Sequence, residues 1–82
     1  MLEDRLFIRY ARLWNKYRTS RMSFLDIQTL LKISETNAKV IIHRLMKEKV
    51  LFVDRKKKDA RRKAYHLLSP ILFVKRKLAE IQ

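Results

Sequence analysis

Two helix-start signals in the first half of the chain constrain its fold more than any other feature. Ser23 precedes an apolar stretch and is followed three residues later by Asp26, the pattern of a reciprocal capping box. Ser34 precedes a second amphipathic stretch and has an acid beside it, where the helix dipole favours negative charge. The interval between the two serines holds one helix of about two turns and a tight connection. We therefore predict consecutive helices over residues 24–31 and 35–49, joined by a three-residue turn.

Apolar periodicity predicts the elements on either side of this pair. Residues 2–18 carry apolar side chains at helical spacing and predict a first helix, with one short strand before the first serine cap. Residues 50–68 contain two strand-like segments that should pair as a hairpin, and residues 70–82 begin with a proline and predict a last helix. The expected fold class is mainly α (α+β), in a single domain over residues 1–82. Its order is helix, strand, helix, helix, strand, strand, helix.

The two middle helices each have an apolar side that predicts how they pack. The buried side of the first should consist of Leu25, Ile27, Leu30 and Leu31. The second carries an apolar face made of Ala38, Ile41, Ile42 and Leu45. Its opposite face is polar and cationic except for Val40. A β-branched apolar residue on such a face favours an apolar contact. A thymine methyl group in a major groove, a protein partner or a slight rotation of the helix would provide one.

The predicted hairpin carries the densest charge in the chain. Seven of the nine residues from Arg55 to Lys63 are cationic, and the whole chain has a formal charge of +13. Strand-like segments on both sides would hold this run as a loop at the tip of the hairpin. Self-repulsion of this size destabilises a compact chain, so a polyanionic partner is the natural explanation.

Composition and spacing exclude several other classes of protein. The chain has no cysteine and no glycine, which excludes disulfides, thiolate sites and glycine-rich phosphate loops. His43 and His66 lie too far apart to suggest a metal pair, and the cations around Asp54 and Asp59 would repel Mg²⁺. No nucleophile–base pair is visible, so we expect no enzymatic activity and no cofactor. No apolar run is long enough to span a bilayer and no leader-like start is visible, while abundant Lys and Arg hint at a thermophilic source.

Two short helices joined by a tight turn are a helix-turn-helix signal. With a basic hairpin directly after them, the chain resembles a winged helix-turn-helix domain, carried by "SFLDIQTLLKISETNAKVIIHRLMKEKVLFVDR" and "DARRKAYHLLSP". The second stretch is similar to the wing of MarR-type regulators, in which an acid and an arginine precede a strand ending in leucine and a hydroxyl residue. Those positions are Asp59, Arg61, Leu67 and Ser69, the hydroxyl lying one place later than usual. The family also has glycine after its recognition helix. Where the family has the pattern K-G-L, this chain has Lys49-Val50-Leu51, so either a residue with a Cβ forms the left-handed cap or the helix ends differently.

The resemblance implies double-stranded DNA binding by a transcriptional regulator. The second middle helix would be the recognition helix in the major groove, and the basic wing would contact the backbone and the minor groove. The terminal helices with which MarR-type proteins sense ligands are more extensive, so the sensor function is not transferred. The residues expected to contact DNA are Thr36, Asn37, Lys39, Val40, His43, Arg44, Lys47, Arg55, Lys56, Lys57, Lys58, Arg61, Arg62 and Lys63.

Other partners stay open at this point. Winged helices also serve as accessory subunits of replication or transcription assemblies, binding protein as well as nucleic acid, and RNA binding is a third hypothesis. The terminal helices carry broad apolar surfaces that predict a two-fold homodimer. The stripe on the last helix consists of Ile71, Val74, Leu78 and Ile81. We expect a cytoplasmic, nucleoid-associated protein without membrane contact.

Overall fold

The structure, a computed structural model, describes residues 3–54 and 63–81. The helices in these parts of the chain are Asp4–Tyr17 (α1), Phe24–Leu31 (α2), Glu35–Lys47 (α3) and Pro70–Ile81 (α4), and the strands are Leu51–Asp54 (β1) and Ala64–Leu67 (β2). The order of helices and strands and the mainly helical fold class are as predicted. In the described part of the chain, no helix has the length and apolar composition that a bilayer crossing requires.

Serine side chains start both middle helices. The Ser23 hydroxyl accepts a hydrogen bond from the Asp26 amide at 3.0 Å, and the Asp26 carboxylate accepts one from the Ser23 amide at 2.9 Å. The Ser34 hydroxyl accepts a hydrogen bond from the Asn37 amide at 3.2 Å. Each bond satisfies an amide that has no partner within its helix. The predicted capping box and the second serine cap are thus confirmed.

Cationic residues reverse the chain at helix ends, in the absence of glycine. Arg18, Lys32 and Lys49 have positive φ angles of 51°, 54° and 60°. After α3, the Lys49 amide donates to the Met46 carbonyl at 3.0 Å and the Val50 amide donates to the Leu45 carbonyl at 3.1 Å, which is the Schellman pattern. The left-handed cap is therefore made by a lysine. Because this turn reverses the chain, α3 ends two residues before the limit expected for the range 35–49.

A small antiparallel sheet closes the fold. β1 pairs with β2 in a register that places Leu51 opposite Leu67 and Asp54 opposite Ala64. Met22 adds the predicted short strand as an isolated bridge to Tyr65, with amide-to-carbonyl distances of 2.9 and 2.8 Å. The stretch before α2 is thereby fastened to the base of the hairpin.

The core lies where α1 crosses the helix pair and the sheet. Tyr10 is buried there and its hydroxyl donates to the Leu68 carbonyl, tying α1 to the segment after β2. Burial raises the pKa of Tyr10 to about 12, against a smaller lowering by the charge of Arg76. Phe73, the buried residue of α4, meets the Tyr10 ring edge-on at 6.1 Å between centroids. α4 thus contacts the core through a narrow part of its surface.

One prediction about the core was wrong. Leu25 was expected on the buried side of α2 but is 66% exposed. α2 buries Ile27 and Leu31, and a residue two places before Ile27 points about 160° away around the helix axis. With Ile27 facing the core, Leu25 faces outward.

Candidate nucleic-acid interface

The outer face of α3 is exposed along its whole length. Its inner face buries Ala38, Ile41, Ile42 and Leu45. At about 100° per residue, the line directly opposite this inner face is formed by Thr36, Val40, His43 and Lys47. All four are exposed, and Val40 is 46% exposed, so much of its apolar side chain is open to solvent. This central line offers hydroxyl, methyl, imidazole and ammonium groups.

One flank of α3 borders a broad groove. Lys39, His43 and Met46 line it on the helix side, and the start of α2 and of β2 line it opposite, around an open volume of about 980 Å³. Its apolar floor includes Met22, Ile42 and Tyr65. Its rim carries the cations Arg21, Lys39 and Lys63. The groove is therefore positively charged at its edges, next to the outer face of α3.

The other flank faces α1 across a small cleft. Asn37 and Arg44 of α3 line this cleft of about 170 Å³ together with Glu3 and Arg9 of α1. The Arg44 guanidinium lies 3.9 Å from the Glu3 carboxylate, and both side chains are exposed. An exposed ion pair of this kind contributes little to the stability of the fold, so the Arg44 guanidinium can leave the Glu3 carboxylate and pair with another anion.

The base of the hairpin is braced by a charged cluster that sequence reasoning missed. The Asp54 carboxylate lies 3.2 Å from Nε of Arg21 and 3.1 Å from Nδ1 of His66. His66 in turn stacks on Phe52, with 5.3 Å between ring centroids. Asp54 and His66 are diagonal neighbours on one face of the hairpin, so the register would have predicted their contact. No group of three or more His, Cys, Asp or Glu side chains that would hold a metal ion occurs among residues 3–54 and 63–81.

A second missed residue lies behind the outer face. Arg76 of α4 donates from Nη1 to the Lys49 carbonyl at 3.0 Å and from Nη2 to the Glu48 carbonyl at 2.9 Å. These carbonyls follow the last turn of α3. No local sequence pattern links a residue of α4 to a turn 27 positions earlier.

The expected DNA-contacting residues are only partly within the described chain. The seven in α3 and Lys63 lie on the surface described above, on or beside the outer face of the helix. The remaining six lie outside the described residues. Those six are Arg55, Lys56, Lys57, Lys58, Arg61 and Arg62.

Solved structures resemble the chain, although no protein-family model and no curated protein matches it. One is BpsR from Bordetella bronchiseptica, described with the regulation of its DNA binding by 6-hydroxynicotinic acid. Its TM-score is 0.69 and its identity 21%, over 95% of this chain and 58% of that chain. A variant of MepR from S. aureus has a TM-score of 0.69 at 15% identity, over 98% and 57%. The complex of S. aureus MepR with DNA has a TM-score of 0.53 at 16% identity, over 93% and 58%.

The fold is a MarR-like winged helix. The likeness covers nearly all of this chain, and at these identities it shows the fold alone. Within this winged helix, α2 and α3 are the helix-turn-helix pair and β1 and β2 are the strands of the wing. The chain spans a little under three-fifths of the length of the proteins that it matches.

Proposed function

We propose that this winged helix binds double-stranded DNA as part of a transcriptional regulator. The supporting observation is the placement of charge around α3. A groove with cations at its rim borders one side of the outer face, and a cleft containing Arg9 and Arg44 borders the other. A helix in a major groove, which is about 12 Å wide, is flanked by two phosphate backbones in the same way.

The central line of α3 and the cations on its flanks would make different contacts with DNA. The central line of α3 would meet base edges, because hydroxyl, methyl, imidazole and ammonium groups each prefer different base atoms. The flanking cations Arg21, Arg44 and Lys63 would contact phosphates and fix the position of the helix without reading sequence. The wing tip would continue these contacts along the backbone and into the minor groove. The protein would act by binding, without catalysis, at the nucleoid in the cytoplasm.

Assembly into a two-fold dimer belongs to the same proposal. The α4 stripe, defined by Ile71, Val74, Leu78 and Ile81, is 54–80% exposed, which is unusual for a surface of this composition in a monomer. An apolar cleft of about 460 Å³ lies between this stripe and Phe7 of α1. A second copy would cover both. Recognition helices would then lie about 34 Å apart, one turn of DNA.

Selection of bound duplexes from random DNA tests the proposal, followed by anisotropy titrations over a range of salt concentrations. A regulator should yield a clear consensus. If each protomer neutralises about six phosphates, the logarithm of the affinity should fall with the logarithm of the salt concentration at a slope of about −5. A slope near zero would exclude the electrostatic interface.

A winged-helix accessory subunit is the second candidate, and the exposed α4 stripe is the observation that favours it. Such a surface would also fit a protein partner in a replication or transcription assembly. Two results together would favour this candidate: no consensus from DNA selection, and a monomer whose stripe becomes covered only in the presence of that partner.

A further inference from the structure

In addition to its own left-handed cap, the carboxyl end of α3 receives hydrogen bonds from a different helix. Arg76 of α4 donates two hydrogen bonds, at 3.0 and 2.9 Å, to the carbonyls of Lys49 and Glu48. Carbonyls at this end of a helix lack partners and carry the negative end of the helix dipole. A guanidinium that donates to two of them at once is a charge-assisted, bidentate cap. The end of α3 is therefore held by a side chain 27 or 28 residues away in the sequence.

Arg76 is itself fixed by the core. It is half-buried, and its guanidinium carbon lies 5.6 Å from the centroid of the Phe73 ring. Phe73 is the buried residue of α4 and packs against Tyr10 of α1. An arginine stacked on a ring keeps a defined direction. The cap is thus connected through one aromatic ring to the centre of the molecule.

The turn that Arg76 contacts is a strained one. Lys49 has a φ angle of 60°, in the left-handed region where a residue with a Cβ is disfavoured. The chain has no glycine that could take this position. Without glycine, the turn depends more on contacts from outside, and the two hydrogen bonds from Arg76 supply them. The direction in which α3 ends is therefore set jointly by its own cap and by α4.

We propose that Arg76 is a positioning residue for DNA reading, which fixes the carboxyl end of the recognition helix relative to α4. This proposal rests on the proposed function of α3. Arg76 touches no outer-face residue in the described contacts, so it acts through the orientation of α3 and not by binding DNA. Its loss should affect the recognition of a preferred site more than general affinity for duplex DNA.

The test compares Arg76→Met, which removes both donors, with Arg76→Lys, which keeps the charge but not the bidentate geometry. Lys77→Met is the matched control, because Lys77 lies over the same Phe73 ring at 5.7 Å and carries the same charge but is not among the donors to the end of α3. Two quantities are measured for each variant. One is the rate of hydrogen exchange at the backbone amides of residues 48–50 in the protein without DNA. The other is the ratio of the affinity for a selected site to the affinity for a random duplex.

Arg76→Met should raise the exchange rate of these amides about tenfold and lower the affinity ratio about tenfold, while Lys77→Met changes neither. Arg76→Lys should fall between wild type and Arg76→Met. Equal behaviour of Arg76→Met and Lys77→Met in both measurements would overturn the proposal. If Arg76→Met unfolds, Arg76→Lys decides, and a wild-type ratio in that variant rejects the positioning role. If the wild-type protein binds no duplex DNA, both the proposed function and the role of Arg76 in DNA reading are rejected. The amide exchange rates then show by themselves whether Arg76 fixes the end of α3.

Discussion

A single backbone angle at the end of α3 allows a prediction about stability. The left-handed conformation of Lys49 disfavours a residue with a Cβ by about 1–2 kcal/mol, while glycine loses more freedom on folding by about 0.5–1 kcal/mol. Lys49→Gly should therefore stabilise the fold by about 0.5–1 kcal/mol in urea titrations. Lys47→Gly, at the last helical residue of α3, is the control and should destabilise the fold by up to about 1 kcal/mol. A loss of stability in Lys49→Gly would contradict the left-handed cap.

The buried hydroxyl of Tyr10 predicts that the protein loses stability at alkaline pH. Burial raises its pKa to about 12 in the folded state, so the neutral phenol is favoured by folding. Its contribution is fully present below the ordinary tyrosine pKa of about 10 and is lost as pH rises from about 10 to about 12. The free energy of unfolding should fall by up to about 1.4 kcal/mol per pH unit in this window from this group alone.

Tyr10→Phe isolates that contribution. The variant should start lower in stability, because the Leu68 carbonyl loses its donor, by about 1–3 kcal/mol. Its stability should then decline less steeply than that of the wild type between pH 10 and 12. Parallel curves in guanidinium titrations would show that the Tyr10 phenol does not resist ionisation.

At the scale of elements, α3 and the wing should be separable by mutation. Replacing Asn37, Lys39 or His43 with alanine should weaken binding to a preferred site by about 1–3 kcal/mol and to random DNA much less, if α3 meets base edges as proposed. Replacing the lysines of the range 56–58 with alanine should weaken binding to all DNA about equally. It should also make the salt slope shallower by up to about 3, if each lysine neutralises one phosphate as proposed.

The ratio of specific to non-specific affinity decides this prediction. Thermal melts must first show that each variant is folded. Ser34→Ala serves as a structural control, because it removes the helix cap without removing an outer-face side chain. If the α3 variants leave the affinity ratio unchanged, α3 does not read bases, and the accessory-subunit hypothesis becomes the stronger one.

At this scale, the sequence could predict interactions between residues close together in the chain but not those between distant elements. The capping box at Ser23 is a contact over three residues, so a local pattern was sufficient to predict it. The cap by Arg76 and the Asp54 cluster depend on how distant elements pack, and their residues carry no periodic signal. Leu25 was misassigned because an apolar residue in a short helix matches the buried pattern whether or not it faces the core. The thermophilic source and the reading role of α3 stay predictions.

At the scale of the whole molecule, the α4 stripe predicts self-association. The stripe is uncovered within the described chain, while Phe73 takes the inward side of the same helix. Light scattering at high micromolar concentration should give twice the 10.0 kDa mass of the chain. Leu78→Glu should give the monomer, because a carboxylate is strongly disfavoured in an apolar interface. Lys75→Gln on the same helix, which also lowers the net charge by one, is the charge-matched control for dimerisation. A wild-type monomer, free and DNA-bound, would exclude the dimer.

α4 has two sides that differ in what they touch, with the exposed stripe on one and Arg76 on the other, about 160° from Leu78 around the axis. Suppose that a second copy covers the stripe, and that Arg76 transmits the resulting shift of α4 to the end of α3. Dimerisation and the binding of a preferred DNA site are then thermodynamically linked. The amount of protein in the cell would then act as an input signal. At low abundance the monomer would bind DNA non-specifically through its charge. Above a threshold concentration the dimer would bind preferred sites, so the occupancy of those sites would depend on how much of the protein is present.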